Sequence, residues 1–251
     1  MSRLVVVTGG AKGIGRATVA RFAALGERVV ALERDGEALD ALGGSLGPLG
    51  GSVEKVLCDV TDERAVESCF AAIGAVDVLV NNAGIAESAP LGKTSLDEWR
   101  RHLEVNATAP FLCTRAVIDG MRDRGSGAMV TVASTAGRVG ARYTAAYTAS
   151  KHAAVGLMRA TAAELAGTGV RANAVCPTFV ATELTERAVA RISQATGRDE
   201  QSSAAALAQA SPLGRLLDPD EVAAAIVWLA SAAAASINGQ ALVMDGGGLQ
   251  P

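Results

Sequence analysis

Aromatic residues make up only 3% of this 251-residue chain: four Phe, two Tyr and two Trp. So few rings leave no stacking platform for single-stranded nucleic acid. Charge of one sign is missing too. The 23 Lys and Arg against 26 Asp and Glu give a net charge of -3 with no long block of either kind, whereas a dedicated nucleic-acid binder gathers basic residues on one face. Cys58, Cys69, Cys113 and Cys176 form no CxxC pair. Their spacing fits neither a zinc site nor a dense disulfide framework, so they read as reduced thiols packed as small hydrophobes. No metal site is expected. Long hydrophobic runs are absent as well. The apolar run 4–7 is too short for the core of a signal peptide. The run 222–237 is interrupted by Ser231 and Ser236, is shorter than the ~20 residues a membrane span needs, and reads as a buried helix. A cytoplasmic protein is the expectation.

What is present is a core-forming pattern. Hydrophobic residues reach 49% and charged residues 20%, a globular balance in a chain long enough to bury a sizeable core. Apolar, β-branched runs recur at 4–7, 29–32, 53–57, 76–80, 129–132, 170–175 and 241–243, as suits strands buried on both faces. Helical patterns lie between them at 14–25, 64–73, 95–121, 147–165 and 220–229. The second is opened by Thr61 and Asp62 as cap candidates, the third is expected to bend near Pro110, and the fifth follows Pro219. The Gly/Pro stretch 43–51 reads as a loop. Strand alternating with helix predicts an α/β fold: a Rossmann-like, doubly wound parallel sheet of about seven strands with helices on both faces. No repeat or linker divides the chain, so residues 1–251 read as a single domain. Residues 179–213 break the rhythm. In such a fold ligands sit beyond the carboxyl ends of the strands, and an insertion after 170–175 would lie over that site as a helical substrate lid.

The run Thr8-Gly9-Gly10-Ala11-Lys12-Gly13-Ile14-Gly15 joins the first strand to the first helix. Glycines there let backbone approach a pyrophosphate, and the helix N-terminus supplies positive potential. The spacing is Gly-x3-Gly-x-Gly rather than the general Gly-x-Gly-x2-Gly. Glu33, ending the second strand, sits where an acidic residue accepts hydrogen bonds from the adenosine ribose and repels a 2′-phosphate. This favours NAD over NADP. Arg34 and Lys12 oppose it, since either cation could receive that phosphate. Asp59 is placed to meet the adenine. Asn82, Ala83 and Gly84 end the fourth strand, where small residues let backbone pass close to a cofactor.

Tyr147 and Lys151 stand four residues apart in Tyr147-Thr148-Ala149-Ser150-Lys151 and share one helix face. A nearby cation favours the phenolate and brings a Tyr towards useful acid–base strength. Ser134 lies just past the strand 129–132, at the carboxyl edge of the sheet. Asn106 places a polar amide within a helical apolar stripe.

With these residues in view, the chain resembles the short-chain dehydrogenase/reductase family over nearly its whole length. Thr8 to Gly15, Asp59, Asn81 to Gly84, Asn106, Ser134, Tyr147 with Lys151, Asn173, Pro177 and Thr182 follow the family's order and spacing. The resemblance implies reversible hydride transfer between NAD(P) and a secondary alcohol or ketone. It makes Tyr147 the general acid/base and has Ser134 orient the substrate oxygen. It gives Lys151 the nicotinamide ribose and the task of lowering the phenol's pKa, and has Asn106 hold a relay water. It also sets Gly9, Gly13, Ile14, Gly15, Val60, Pro177, Val180 and Thr182 against the cofactor. The family usually has Gly after the proline of the Pro177 loop, and this chain has Thr178, which puts the loop's conformation in question because Thr tolerates positive φ poorly. The segment 185–213 is long for the family and is similar to relatives acting on 3-hydroxy acids and 3-hydroxyacyl thioesters. A homo-oligomer, usually a tetramer, is implied. The alternatives are a non-catalytic nucleotide sensor, which would be expected to lose Ser134, Tyr147 or Lys151, and a halohydrin-dehalogenase-like lyase, which would carry Arg for Lys151 and lack the glycines.

Overall fold

The computed structural model describes residues 2–43, 51–209 and 211–249. Among them seven strands form one parallel sheet: β1 (Leu4–Thr8), β2 (Arg28–Glu33), β3 (Ser52–Leu57), β4 (Val78–Asn81), β5 (Gly127–Val132), β6 (Val170–Pro177) and β7 (Ala241–Met244). Their spatial order is β3-β2-β1-β4-β5-β6-β7. The direction of winding reverses between β1 and β4, and that switch point opens a crevice at the carboxyl edge.

Strand periodicity divides the core into two layers. Leu4 and Val6 of β1 pack on one face with Leu79 and Met129, while Val5 and Val7 pack on the other with Val80 and Val130. The first face is covered by α3 (Glu63–Ile73), α5 (Ala109–Arg124) and α6 (Ala145–Glu164) through Phe70, Met121 and Met158. The second is covered by α1 (Gly13–Ala24), α2 (Gly36–Leu42) and α9 (Pro219–Leu229) through Phe22, Leu42 and Ile226. Each such buried side chain contributes about 1.5–3 kcal/mol.

Several expectations need correction. The helix α2 was not expected; Asp35 caps it by accepting the Ala38 N–H (3.1 Å), and Leu39 and Leu42 anchor it. The strand β3 is not buried on both faces. Among the described residues it pairs only with β2, and it leaves Glu54 and Lys55 in solvent. The long third helix is α4 (Leu96–Leu103), a π turn (Glu104–Thr108) and α5; its irregularity is that π turn, which ends just before Pro110. Pro110 sits in the first turn of α5. The run 222–237 is not one helix, because α9 ends at Leu229. Of the loop read at 43–51, residues 44–50 lie outside the described residues. No helix among those described is long and apolar enough to cross a membrane. The cysteines are free, and a hydrogen bond joins Cys58 to Cys69 although they stand far apart in sequence.

Candidate active site

Thr8 and Asn82 lock the switch point. Thr8 Oγ1 accepts the N–H groups of Asn82 and Ala83 (both 3.0 Å), and Asn82 Nδ2 donates to Thr8 O (2.9 Å) and Gly9 O (3.0 Å). Asn82 thus clasps the glycine turn by its side chain. A Cβ at Gly15 would lie 2.0 Å from Gly9 O, so only glycine fits there. Gly13 has φ +48°, and a Cβ on it would meet Thr182 Cγ2 at 2.9 Å. The first turn of α1 has no side-chain cap and no acidic residue. Its N–H groups are therefore a donor set facing the crevice that fits an anionic diphosphate.

At the end of β2, Glu33 Oε1 accepts the N–H groups of Arg34 (2.9 Å) and Asp35 (3.3 Å). Lys12 Nζ does not stand free. It is 2.8 Å from Asp35 Oδ2 and 3.6 Å from Glu183 Oε2. The hydrogen bond to Asp35 raises the Lys12 pKa and lowers that of Asp35. Burial opposes ionisation of Asp59, but hydrogen bonds from Thr61 N (2.9 Å) and Oγ1 (2.7 Å), with the Arg34 charge, hold its carboxyl below the usual range. Val60 is buried beside it.

Ser134 follows β5, and its Oγ accepts the Ala136 N–H at 3.1 Å, which caps the 3-10 turn Thr135–Gly137. Tyr147 lies in the first turn of α6, half-buried, and shares a side-chain hydrogen bond with Ser134. Lys151, one turn on, is 5% exposed. Its Nζ donates to Val132 O (2.9 Å) and lies 5.9 Å from the Tyr147 ring centroid. Burial pushes Lys151 down to about 8. Burial also raises Tyr147, and the Ser134 hydrogen bond only partly offsets this. The expected lowering of the phenol by Lys151 is therefore not found: the ammonium is directed at a carbonyl, and desolvation outweighs it.

Asn106, in the π turn, has its amide fully engaged as a donor. Its Nδ2 donates to Ile85 O and Ser150 Oγ, and Oδ1 accepts the Ile85 N–H, all at 2.9 Å. It joins the chain after β4 to α6, and Ser150 Oγ, which the sequence reading passed over, donates on to Tyr147 O (2.7 Å). A Cβ on exposed Gly84 would come 3.1 Å from Asn106 Oδ1 and 3.4 Å from Lys151 Nζ, so glycine keeps this corner open.

Beyond β6 and its last residue Pro177, Thr178 N donates to Met244 O (3.0 Å). Tyr143 alone among the described non-glycine residues has positive φ. Thr178 therefore stands outside the left-handed region and its departure from Gly is accommodated. Val180 bridges Leu217, and Ala181 N donates to Leu217 O (2.8 Å) while Leu217 N donates to Phe179 O (2.9 Å). This neck closes an excursion carrying α7 (Glu183–Thr196) and α8 (Glu200–Gln209). Thr182, against Gly13, sets the start of α7 beside the glycine turn. Among the described residues no group of three or more His, Cys, Asp or Glu could hold a metal ion.

The family described as short chain dehydrogenase matches residues 3–192. The D-threitol dehydrogenase of Mycolicibacterium smegmatis is 40% identical over 249 residues, 98% of this chain and 92% of that protein. The 2-(R)-hydroxypropyl-CoM dehydrogenase of Xanthobacter autotrophicus is 38% identical and covers 98% of each chain. Among solved structures, a variant of actinorhodin polyketide ketoreductase with NADPH superposes with a TM-score of 0.94, with 34% identity over 98% of this chain and 97% of that one.

Proposed function

The chain belongs to the short-chain dehydrogenase family and is an NAD(P)-dependent oxidoreductase, and from that premise we propose that it interconverts a secondary alcohol and a ketone with Tyr147 as proton donor and acceptor. The observation that carries the reading is the convergence of Tyr147, Ser134 and buried Lys151 at the carboxyl edge of β5, beside the uncapped N-terminus of α1. When bound, the nicotinamide gives or takes the hydride. Lys151 and the Gly84 corner would hold its ribose, and the α1 N-terminus its diphosphate.

The proton chemistry belongs to the chain. Ser134 Oγ accepts the Ala136 N–H, and its O–H, which faces Tyr147 in the free protein, would turn to donate to a substrate oxygen. Tyr147, with its pKa raised by burial, is neutral near pH 7 and supplies the proton as negative charge grows on the ketone oxygen. The two donors together stabilise that charge. In the opposite direction the phenolate takes the alcohol proton. Both roles need Tyr147 and Ser134, so a non-catalytic nucleotide sensor has no use for the pair.

The cofactor is NAD on this reading. Glu33, held by two backbone N–H groups, faces the adenosine end, and Lys12 is already matched with Asp35 and Glu183, whereas Arg34 acts on Asp59 only through its charge and stays the argument for NADP. The NADPH-bound ketoreductase relative marks NADP as the competing choice. Residues 179–213 serve as the substrate lid. The substrate is a secondary alcohol, with 3-hydroxy acids and 3-hydroxyacyl thioesters as the classes to try first and polyols added by the D-threitol dehydrogenase relative. Free thiols suit a cytoplasmic setting. A homo-oligomer is the working state. Trp228, Leu242 and Val139 are exposed along an open groove of about 560 Å³ beside the edge strand β7, a surface that a second copy would cover. The test is the absorbance change of the nicotinamide on mixing the protein with NAD or NADP and a panel of polyols, simple secondary alcohols, 3-hydroxy acids and 3-hydroxyacyl thioesters. No turnover with any secondary alcohol or matching ketone would end the reading.

A further inference from the structure

We propose that His102 is a positioning residue of the active centre, holding the Tyr147 ring and the backbone of residues 85–89 in one arrangement. It is one of two histidines in the chain and is fully buried on α4. Its two ring nitrogens face groups of opposite polarity. Nδ1 lies 2.9 Å from Glu98 O, a carbonyl that only accepts, so Nδ1 carries the proton. Nε2 lies 3.1 Å from Glu87 N, an amide that only donates, so Nε2 is bare. The imidazole is therefore neutral, in one tautomer, with its plane fixed from both ends.

That fixed ring meets Tyr147 edge to face, with centroids 6.4 Å apart and planes at 77°, an arrangement aromatic pairs favour. It also completes a row of ties along the chain leaving β4. Ile85 is held by Asn106 through both its N–H and its carbonyl, Glu87 N by His102, and Ala89 N by Tyr143 O (2.8 Å). Three successive odd-numbered residues are each pinned by a different neighbour, and His102 joins this strip to the Tyr147 ring, as Asn106 joins it through Ser150 to the Tyr147 backbone. The Glu87 carboxylate extends the connection, pairing with Arg101 of α4 and with Arg191 of α7 at 3.8 Å. A displaced imidazole would release the strip and the ring together, and reacting groups misplaced by about 1 Å lose on the order of 10²-fold in rate.

This inference rests on Tyr147 as the acid/base, so Tyr147→Phe is measured beside His102→Leu, His102→Gln and His102→Asn. His102→Leu should lower kcat roughly tenfold or more, while NADH affinity and the melting temperature stay near wild type. His102→Gln, whose Oε1 reaches the Glu87 N–H, should recover most of that loss, whereas the shorter Asn should not. Amide exchange at Glu87 should quicken in the Leu and Asn variants and stay slow in the Gln variant. Should His102→Leu fail to fold, the Gln and Asn pair decides. Equal activity of those two, or turnover within about twofold of wild type in His102→Leu against the larger loss that misplacement brings, overturns the proposal. Undiminished turnover in Tyr147→Phe would instead remove the acid/base reading, while the exchange rate at Glu87 still reports whether His102 holds the strip.

Discussion

Lys12 Nζ sits 2.8 Å from Asp35 Oδ2, so the cation best placed in the glycine turn to meet a 2′-phosphate is already committed to a carboxylate that also caps α2. The pair is partly exposed and adds little stability of its own. Its effect is on ligand choice. With Glu33, Asp35, Asp59 and Glu183 against Lys12 and Arg34, the adenosine end carries a negative excess.

Cofactor preference should follow. Wild type is expected to favour NAD, and Glu33→Ala should shift the ratio of kcat/KM for NADP over NAD upward by about tenfold, the scale of one like-charge contact at reduced dielectric. Asp35→Asn is the finer probe. It keeps a capping oxygen for Ala38 N but leaves Lys12 only the more distant Glu183, so it should raise the NADP ratio without loss of stability. A wild type that prefers NADP, or variants that leave the ratio where it was, would show that these carboxylates do not select.

Tyr147→Phe removes one hydroxyl and leaves the ring against His102. Turnover should fall by ~10²–10⁴-fold, the usual contribution of a positioned acid or base. NADH binding, followed by fluorescence titration, should persist because Lys151 and the glycine turn are untouched. Ser134→Ala should lower turnover as well, and it should also raise the Tyr147 pKa further, since the Ser134 hydrogen bond is what pulls that pKa down.

The pH dependence should differ with direction. Burial raises the Tyr147 pKa, so the phenol is protonated near neutrality, the form that ketone reduction uses. Alcohol oxidation uses the phenolate and should climb as pH rises. Lys151, held at about 8, loses its charge at a lower pH than the raised phenol loses its proton, so little ammonium is left to support the phenolate when it forms. Initial rates of both directions across the pH range check this. Reduction that gains with pH while oxidation falls would contradict it.

The sequence carried the frame of the site and left its interior hidden. The glycine turn, the Tyr147–Lys151 spacing and Ser134 after an apolar run were legible because each depends on local geometry: a strand end, a helix face, a tight turn. The helix α2 escaped because seven residues make too short a periodic signal, although Asp35 followed by Leu39 and Leu42 was a usable one. Glu54 and Lys55 within the third apolar run were the visible sign that β3 would be an exposed edge. Burial around Tyr147 reverses the expected direction of its pKa, and burial comes from packing between distant segments. The Lys12–Asp35 pair spans 23 positions and the Glu87–His102 bond 15, so neither had a local signature. His102 does stand one helical turn before Asn106, on the face that Asn106 marked as polar, and that spacing could have pointed to it.

The lid makes the last prediction, and the neck sharpens it. Phe179 and Ala181 are tied to Leu217 by backbone hydrogen bonds, and Val180 is buried there. The carried helices are different: α7 buries only Thr185 and Val189, and α8 buries only Ser203. Segments with few buried apolar contacts open at low free energy, whereas backbone paired within a core opens with the whole molecule. Motion should therefore divide at the neck, with α7 and α8 swinging together while residues 179–181 and 217 stay fixed. One restraint on that swing is Lys12 to Glu183, between the glycine turn and the first turn of α7, so cofactor arriving at the glycine turn should be felt in the lid. Hydrogen exchange should find residues 183–209 fast and the neck slow in the free protein, with 183–209 slowing when cofactor and product are added. Lys12→Met should leave the neck unchanged and weaken the response of α7 to cofactor. A lid as protected as β1 without ligand, or a neck that exchanges with the helices, would mean that the excursion is a fixed part of the fold.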